Sequence, residues 1–501
     1  MRVKRIISLL LMSLTVLSVL TSCTNEAERE EDSFETALPP VTLTFYMFEK
    51  DKKDTKEVLD KVAQSSNLNI ILDFKWFGYE DYFRNVERAI ASNDKLDAFI
   101  CGKPVPGAID FIEMFREGKI KNLTELLPQY APNILSQLSD GDLNSVRIDG
   151  KIAFIPPILP MVDCLGVNIR KDLADKYNIT SVNTFNEYEN ILEKIKENEK
   201  GIIPGTVRGG TNYNLELFAN AFGYIILDNK LALVYKWDDP KMKVVPWEQT
   251  PEFKETANLV NSWVKNGYLE QVETLDKTGS FMGRFGTFEE RTIDYTVKEG
   301  KKESFNYYLL YNNKKIQRKS PMNFLELCSI ALSSNSENVE RTLMFLNWVQ
   351  SGQENYDLLM YGILEKHYLL KDGRVAMPEG VEEDRNPYYG WFSLPFRNAN
   401  FDREWVDEYD PGNTMEDITQ FLEKYTSYAP HEGFYHDYKD IRALCDNRMQ
   451  LYRNKIEIEL HNGTFDMEKA DSIIEELEKA GTDRIVLETQ RQLDNWKALN
   501  E

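Results

Sequence analysis

Cys23 has the most pointed setting of any residue here that can do chemistry. Leu20-Thr21-Ser22 stands before it, and before that an apolar run from Ile6 to Leu20 behind the cations Arg2, Lys4 and Arg5. A thiol is a nucleophile that can be alkylated or acylated. The remaining cysteines, Cys101, Cys164, Cys328 and Cys445, lie far apart with no Cys-x-x-Cys spacing, so neither a zinc ribbon nor a redox dithiol is indicated. Histidines occur at 367, 431, 436 and 461; the five-residue step from His431 to His436 is awkward for a helical ligand pair and reads as a surface loop. No metal site or cofactor is expected. A Gly-x-Ser-x-Gly elbow, a P-loop and His-Glu-x-x-His are all missing from the sequence. Paired carboxylates cannot be credited or excluded among 82 acidic residues.

What remains is binding chemistry. Flat rings fall at loop positions: Phe48, Tyr79, Tyr213, Trp247, Phe281, Trp391 and Phe392. Lys103, Asp163, Arg284 and Glu289 add groups that form charge-assisted hydrogen bonds. The competing reading is that each ring is core, as most aromatics are.

These residues need elements to hold them. Val41-Thr-Leu-Thr-Phe-Tyr-Met-Phe48 is β-branched and aromatic, hence a strand, and Leu68–Phe77 and Leu96–Cys101 read the same way. Between them, Asp54–Gln64 carries helix formers, and Tyr82, Val86, Ala89 and Ile90 fall on one helical face. Strand, helix, strand, helix, strand with short links is a right-handed parallel α/β unit, in which ligands sit beyond the carboxyl ends of the strands. Those ends are Glu49-Lys50, Gly78-Tyr79 and Gly102-Lys103-Pro104. Gly150-Lys-Ile-Ala-Phe-Ile-Pro-Pro-Ile-Leu-Pro160 is stiffened by three prolines and suits a crossover between lobes. Further helices are marked by Phe253, Thr256, Val260, Trp263 and Val264, and by Val339, Leu343, Leu346 and Val349. The last hundred residues read as mostly helical.

A basic head, a short apolar stretch and small residues before a cut make a secretory signal. Its ending on Leu-Thr-Ser-Cys23 resembles the lipobox of bacterial lipoproteins, whose cysteine is acylated and becomes the new N-terminus. Thr24–Pro40, rich in Glu, Asp, Ser and Pro, then reads as a tether. With 42% hydrophobic and 12% aromatic residues the 501-residue chain is of the folded type, and its length calls for two domains or lobes. The formal charge of −22 argues against nucleic acid, which needs clustered Lys and Arg.

Ser145-Val-Arg-Ile-Asp-Gly-Lys-Ile-Ala-Phe-Ile-Pro156, followed by Gly166-Val-Asn-Ile-Arg-Lys-Asp-Leu173, resembles the crossover and strand end of the extracellular solute-binding proteins of sugar ABC importers. This is the broad family-one group that includes maltose-binding protein. Thr184-Phe-Asn-Glu-Tyr188 is similar to that family's helix start, and Asn338-Val-Glu-Arg-Thr-Leu-Met-Phe-Leu-Asn-Trp348 to its helix after the second crossing. A Firmicutes lipoprotein subset with a helical C-terminus is closer still. Tyr361-Gly-Ile-Leu-Glu-Lys-His-Tyr368 departs from that subset's pattern at two places, and Ala480–Ile485 and Glu488–Trp496 resemble its C-terminus.

The resemblance implies an α/β, two-lobed periplasmic-binding-protein-like (type II) fold with a hinge and a helical C-terminal region. Expected boundaries are 1–22 signal peptide, 23–38 tether, 39–156 lobe one with a return at about 322–370, 160–320 lobe two with later helices, and 400–501 helical C-terminal region. The implied role is a lipid-anchored, monomeric, non-enzymatic substrate-binding subunit on the extracytoplasmic face. It would hand an oligosaccharide or sugar derivative to the transmembrane subunits of an ABC permease. A sugar presents apolar C–H faces and a rim of hydroxyls, which rings and hydrogen-bonding side chains can match. Alternatives are a binder of peptide or another organic solute and, in a different class, a surface glycoside hydrolase.

Overall fold

A computed structural model describes residues 38–48, 50–102, 109–159, 165–207, 213–272, 277–284, 296–298, 301–303, 305–308, 316–318, 328–381, 385–388, 391–403 and 426–500. Glu49, Lys103, Asp163 and Glu289, and the whole segment through Cys23, lie outside them.

The chain begins as its pattern suggests: β1 (Val41–Phe48), α1 (Thr55–Ser66), β2 (Ile70–Phe77), α2 (Tyr79–Ala91), β3 (Ala98–Cys101). β1 runs parallel to both other strands, with Val41 opposite Ile70 and Phe48 opposite Phe77, so the carboxyl ends of β1 and β2 are level. Tyr82, Val86, Ala89 and Ile90 are all buried, which is the α2 face that the spacing predicts. The core between sheet and helices is aromatic, with Phe45 and Phe74 ring centroids 4.9 Å apart. Asp97 is buried without strain because it accepts from Thr44 N at 2.8 Å and Ser336 Oγ at 2.6 Å.

A short helix, α3 (Asp140–Ser145), precedes the proline-rich crossover; Ser139 and Asp142 cap it reciprocally. Beyond the crossover come β4 (Leu165–Arg170), β5 (Thr206–Val207), α4 (Tyr213–Ala221), β6 (Tyr224–Asp228), β7 (Leu233–Lys236), β8 (Val245–Pro246), α5 (Pro251–Lys265), β9 (Ser280–Arg284) and β10 (Phe305–Tyr308). These make a second sheet in the order β10-β4-β9-β5 and a small antiparallel sheet β8-β7-β6. The second core gathers on Val167, Phe185, Tyr188, Phe253 and Trp263, separate from the first. Tyr188 fixes the start of β9: its hydroxyl lies 2.9 Å from Ser280 Oγ, which donates to Pro204 O at 2.7 Å.

The chain returns through β11 (Ile316–Arg318) to β12 (Ser329–Leu332), which closes the first sheet antiparallel to β3, and to α6 (Val339–Val349). It crosses again at β13 (Thr426–Tyr428), which pairs parallel with β11. The C-terminal helices α7 (Arg442–Tyr452), α8 (Ala470–Lys479) and α9 (Thr482–Asn500) follow. They form no core of their own. Tyr452, Ile456, Leu460, Phe465 and Leu477 join the second core. Cys445, Ile485 and Leu493 cover the small sheet at Ile225, Leu233 and Tyr235. No described helix is long and apolar enough to cross a membrane.

Candidate functional site

The carboxyl edge of the first sheet carries an aromatic step. Tyr79 opens α2 directly after β2, and its ring meets Phe48 at 5.7 Å and 79° and Phe83 at 5.3 Å and 86°, both edge-on. The step is held from beneath. Tyr82, fully buried, donates to Ile100 O at 2.7 Å and so pins the first turn of α2 to β3; burial raises its pKa well above the usual phenol value. Tyr79 itself is 42% exposed, whereas Phe48 is half-buried. A wet ring with rigid supporting rings at a strand end is a surface on which an apolar ligand face can stack.

The second sheet gathers its own edge by register. Leu165, the first residue of β4, lies opposite Arg284, the last of β9, and Val207 at the end of β5 lies opposite Met282. From Val207 the chain passes through 208–212 to Tyr213 at the start of α4. Arg284, the opening of β4 and the chain running into Tyr213 therefore leave from one edge. The side chains of Tyr213 and Arg284 lie outside the described residues, as does that of Trp391, which begins a 3-10 segment at Trp391–Phe396.

Two of the expected rings are core instead. Trp247 is completely buried, packed against Tyr224 at 5.6 Å and Phe253 at 6.4 Å. Pro246 gives its surroundings a loop-like look, but the 3-10 turn Trp247–Gln249 points the ring inward. Phe281 is also buried, with its ring 5.1 Å from Phe305. It sits at the second position of β9, three residues back from the edge, about 10 Å at strand rise. Phe83 went unnamed in the sequence reading; its signal was the four-residue step from Tyr79, which stacks the two on one helix face.

Two α/β bodies with their own sheets and cores, joined by repeated crossings, define the two-lobed periplasmic-binding-protein-like (type II) fold. The chain is similar to a carbohydrate ABC transporter substrate-binding protein of Streptococcus pneumoniae, 22% identical with 95% of each chain covered. Its structure is similar to the N-glycan transport solute binding protein NgtS of the same organism, at 18% identity and TM-score 0.74, covering 92% of this chain and all of that one. An extracellular solute-binding protein from Bifidobacterium longum subsp. infantis matches at 14% identity and TM-score 0.66, covering 91% and 98%. Residues 430–498 match a family described as a domain of unknown function, DUF3502. The resemblance carried by the crossover motifs is thus matched over 95% of the chain by similarity to a protein named as a carbohydrate ABC transporter substrate-binding protein. Those relatives are named as binding proteins, not as enzymes.

Proposed function

We propose that this protein is the lipid-anchored substrate-binding subunit of an ABC importer. It captures an oligosaccharide between its two lobes, delivers it to the permease unaltered, and acts as a monomer at the extracytoplasmic face. The observation that carries the reading is the exposed Tyr79 ring braced by Phe48 and Phe83 at the carboxyl edge of the first sheet. Opposing polar groups would come from the second sheet's edge, where Arg284 and the chain into Tyr213 emerge; Lys103, Asp163, Glu289 and Trp391 remain proposed members of the same site. Crystallised relatives support an oligosaccharide as ligand, since NgtS is in complex with Man5GlcNAc and the S. pneumoniae protein FusA with kestose. Closure on the ligand would carry the signal to the permease, through the ligand's tighter binding to the closed form. Cys23 supplies the anchor.

Calorimetric titration with a panel of mannose-, N-acetylglucosamine- and fructose-containing oligosaccharides, with chromatography of the sugar afterwards, tests this. Saturable binding with recovered intact sugar is expected, weakened in Tyr79→Ala by about 1–2 kcal/mol, or 5- to 30-fold in Kd. Cleaved sugar overturns the reading, and full affinity in Tyr79→Ala removes the aromatic step from the site.

A further inference from the structure

The segment from Thr426 to Tyr438 makes contacts to both lobes. It starts as β13, hydrogen-bonded to the crossing strand β11. From there one set of side chains faces the first lobe. The Tyr428 hydroxyl donates to Asp142 Oδ1 at 2.8 Å and lies 2.8 Å from Ser139 Oγ, the two residues that cap α3. Its ring lies over Gly141, where a Cβ would collide with it. Gly433, at φ +92°, passes so close to α3 that a Cβ there would stand 2.5 Å from Asn144 O. The Tyr435 hydroxyl donates to Ser145 O.

The other set faces the second lobe and its C-terminal helices. His431 Nδ1 lies 2.7 Å from the Tyr235 hydroxyl. Phe434 packs at 6.1 Å from Trp496 in the core over the small sheet. His436 lies 3.2 Å from Asp228 Oδ2 through Nδ1 and 3.2 Å from Thr489 Oγ1 through Nε2. Tyr438 donates to Asp228 Oδ2 at 2.5 Å, and Asp437 N to Gln492 Oε1 at 2.9 Å. Burial works to raise the Asp228 pKa, yet the His436 and Tyr438 contacts hold it below the usual carboxylate range.

We infer that residues 426–438 are an interlobe strap: contacts to α3 on one side and to β6, β7 and α9 on the other set the equilibrium between open and closed lobes. Ligand affinity is thereby tuned from a segment that need not touch the ligand. The strap's effect on affinity rests on the two-lobed binding role proposed above; its effect on lobe geometry does not. A rotation of one lobe against the other must break or slide one of the two sets of contacts. Each lost hydrogen bond then shifts the equilibrium by a factor on the order of five.

The test measures the interlobe distance directly. Spin labels go on Lys61→Cys of α1 and Lys254→Cys of α5, both exposed. Cys23 and Cys164 are changed to serine, and the buried Cys101, Cys328 and Cys445 are left in place. Pulsed dipolar spectra of the full chain without ligand are compared for the parent, Tyr428→Phe/Tyr435→Phe and Gly433→Ala. Both variants are expected to move or broaden the distance distribution by several Å, with Kd for a bound oligosaccharide changing at least fivefold in the matching sense. Unchanged distributions in variants whose circular dichroism and melting remain those of a folded protein overturn the strap. Should Gly433→Ala fail to fold, the tyrosine pair, which removes only hydroxyls, still decides. Absence of any sugar binding with a shifted distribution would refute the ligand reading and leave the strap standing.

Discussion

Arg448 and Glu248 form an ion pair with neither side chain exposed: Nη1 lies 2.9 Å from Oε1 and Nη2 donates to Oε2 at 3.1 Å. Arg448 also donates to Leu231 O from Nη2 at 2.9 Å and to Thr482 Oγ1 from Nη1 at 2.8 Å. One guanidinium therefore joins α7, the loop before β7, the turn after β8 and the start of α9. Arg448→Met strands a fully buried carboxylate and removes these bonds, which costs about 3–5 kcal/mol. Glu248→Leu strands the cation at a similar cost. The double variant leaves no unpaired charge; its loss is chiefly the Leu231 carbonyl deprived of its donors, about 1–3 kcal/mol. The double should thus be more stable than either single. Hydrogen exchange of the amides in α7 and α9, read as local opening free energies, measures this without assuming two-state unfolding of a two-lobed chain. Singles within about 0.5 kcal/mol of the parent, or a double as unstable as the sum of both, would refute the reasoning.

Trp247→Ala should destabilise the second lobe by about 3–5 kcal/mol while leaving the oligosaccharide affinity of the folded fraction unchanged; weaker binding at full occupancy of the folded state would return this ring to the site. Burial holds the His461 pKa below the ordinary histidine range, and its Nδ1 has no partner among the described residues. The unfolded chain takes up that proton near pH ~6.5 and the folded one only at lower pH, so stability is lost as pH falls from about 6.5 through the folded value. Melting temperature should accordingly drop less from pH 7.5 to 5 in His461→Gln than in the parent; parallel curves would dismiss the effect. Cys23→Ala should move the protein from the membrane to the soluble fraction, and unchanged retention would remove the anchor.

The first parallel unit was legible because its signals are local and redundant. Strands of β-branched and aromatic residues alternate with an i, i+4, i+7, i+8 face whose four members are all buried. The helix face Phe253, Thr256, Val260 and Trp263 was read for the same reason. Rings in the second lobe misled. A tryptophan after a proline and a phenylalanine with a glycine two residues to either side both look like loop residues. Whether such a ring turns in or out depends on sheet register and on what packs across it, and neither is written nearby. The position of Tyr79 in the fold was legible because a strand end and a helix start meet there. The contacts of Tyr428 and Tyr435 were not: their partners in α3 lie almost three hundred residues away, at separations of 286 and 290.

The C-terminal helices were expected only as a region of unexplained role, and the cores show why the fold needs them. Ile225, Leu233 and Tyr235 of the small sheet are completely buried, with Cys445, Ile485 and Leu493 among the residues that cover them. Without α7 and α9 this sheet would present a continuous apolar face to water, which a soluble lobe does not tolerate. The region is thus part of the second lobe, bolted through Arg448, and not an appended domain. Rigid attachment is also what makes the segment before it mechanically useful. A strap transmits lobe rotation only if both of its ends are fixed: here β13 is fixed to the crossing, and Asp228 and Gln492 hold the far end. Loosening α9 should therefore relax the interlobe angle just as cutting the contacts to α3 does. Thr489→Val, which removes the Oγ1 that meets His436, should reproduce a fraction of the distance change of Tyr428→Phe/Tyr435→Phe without touching the first lobe.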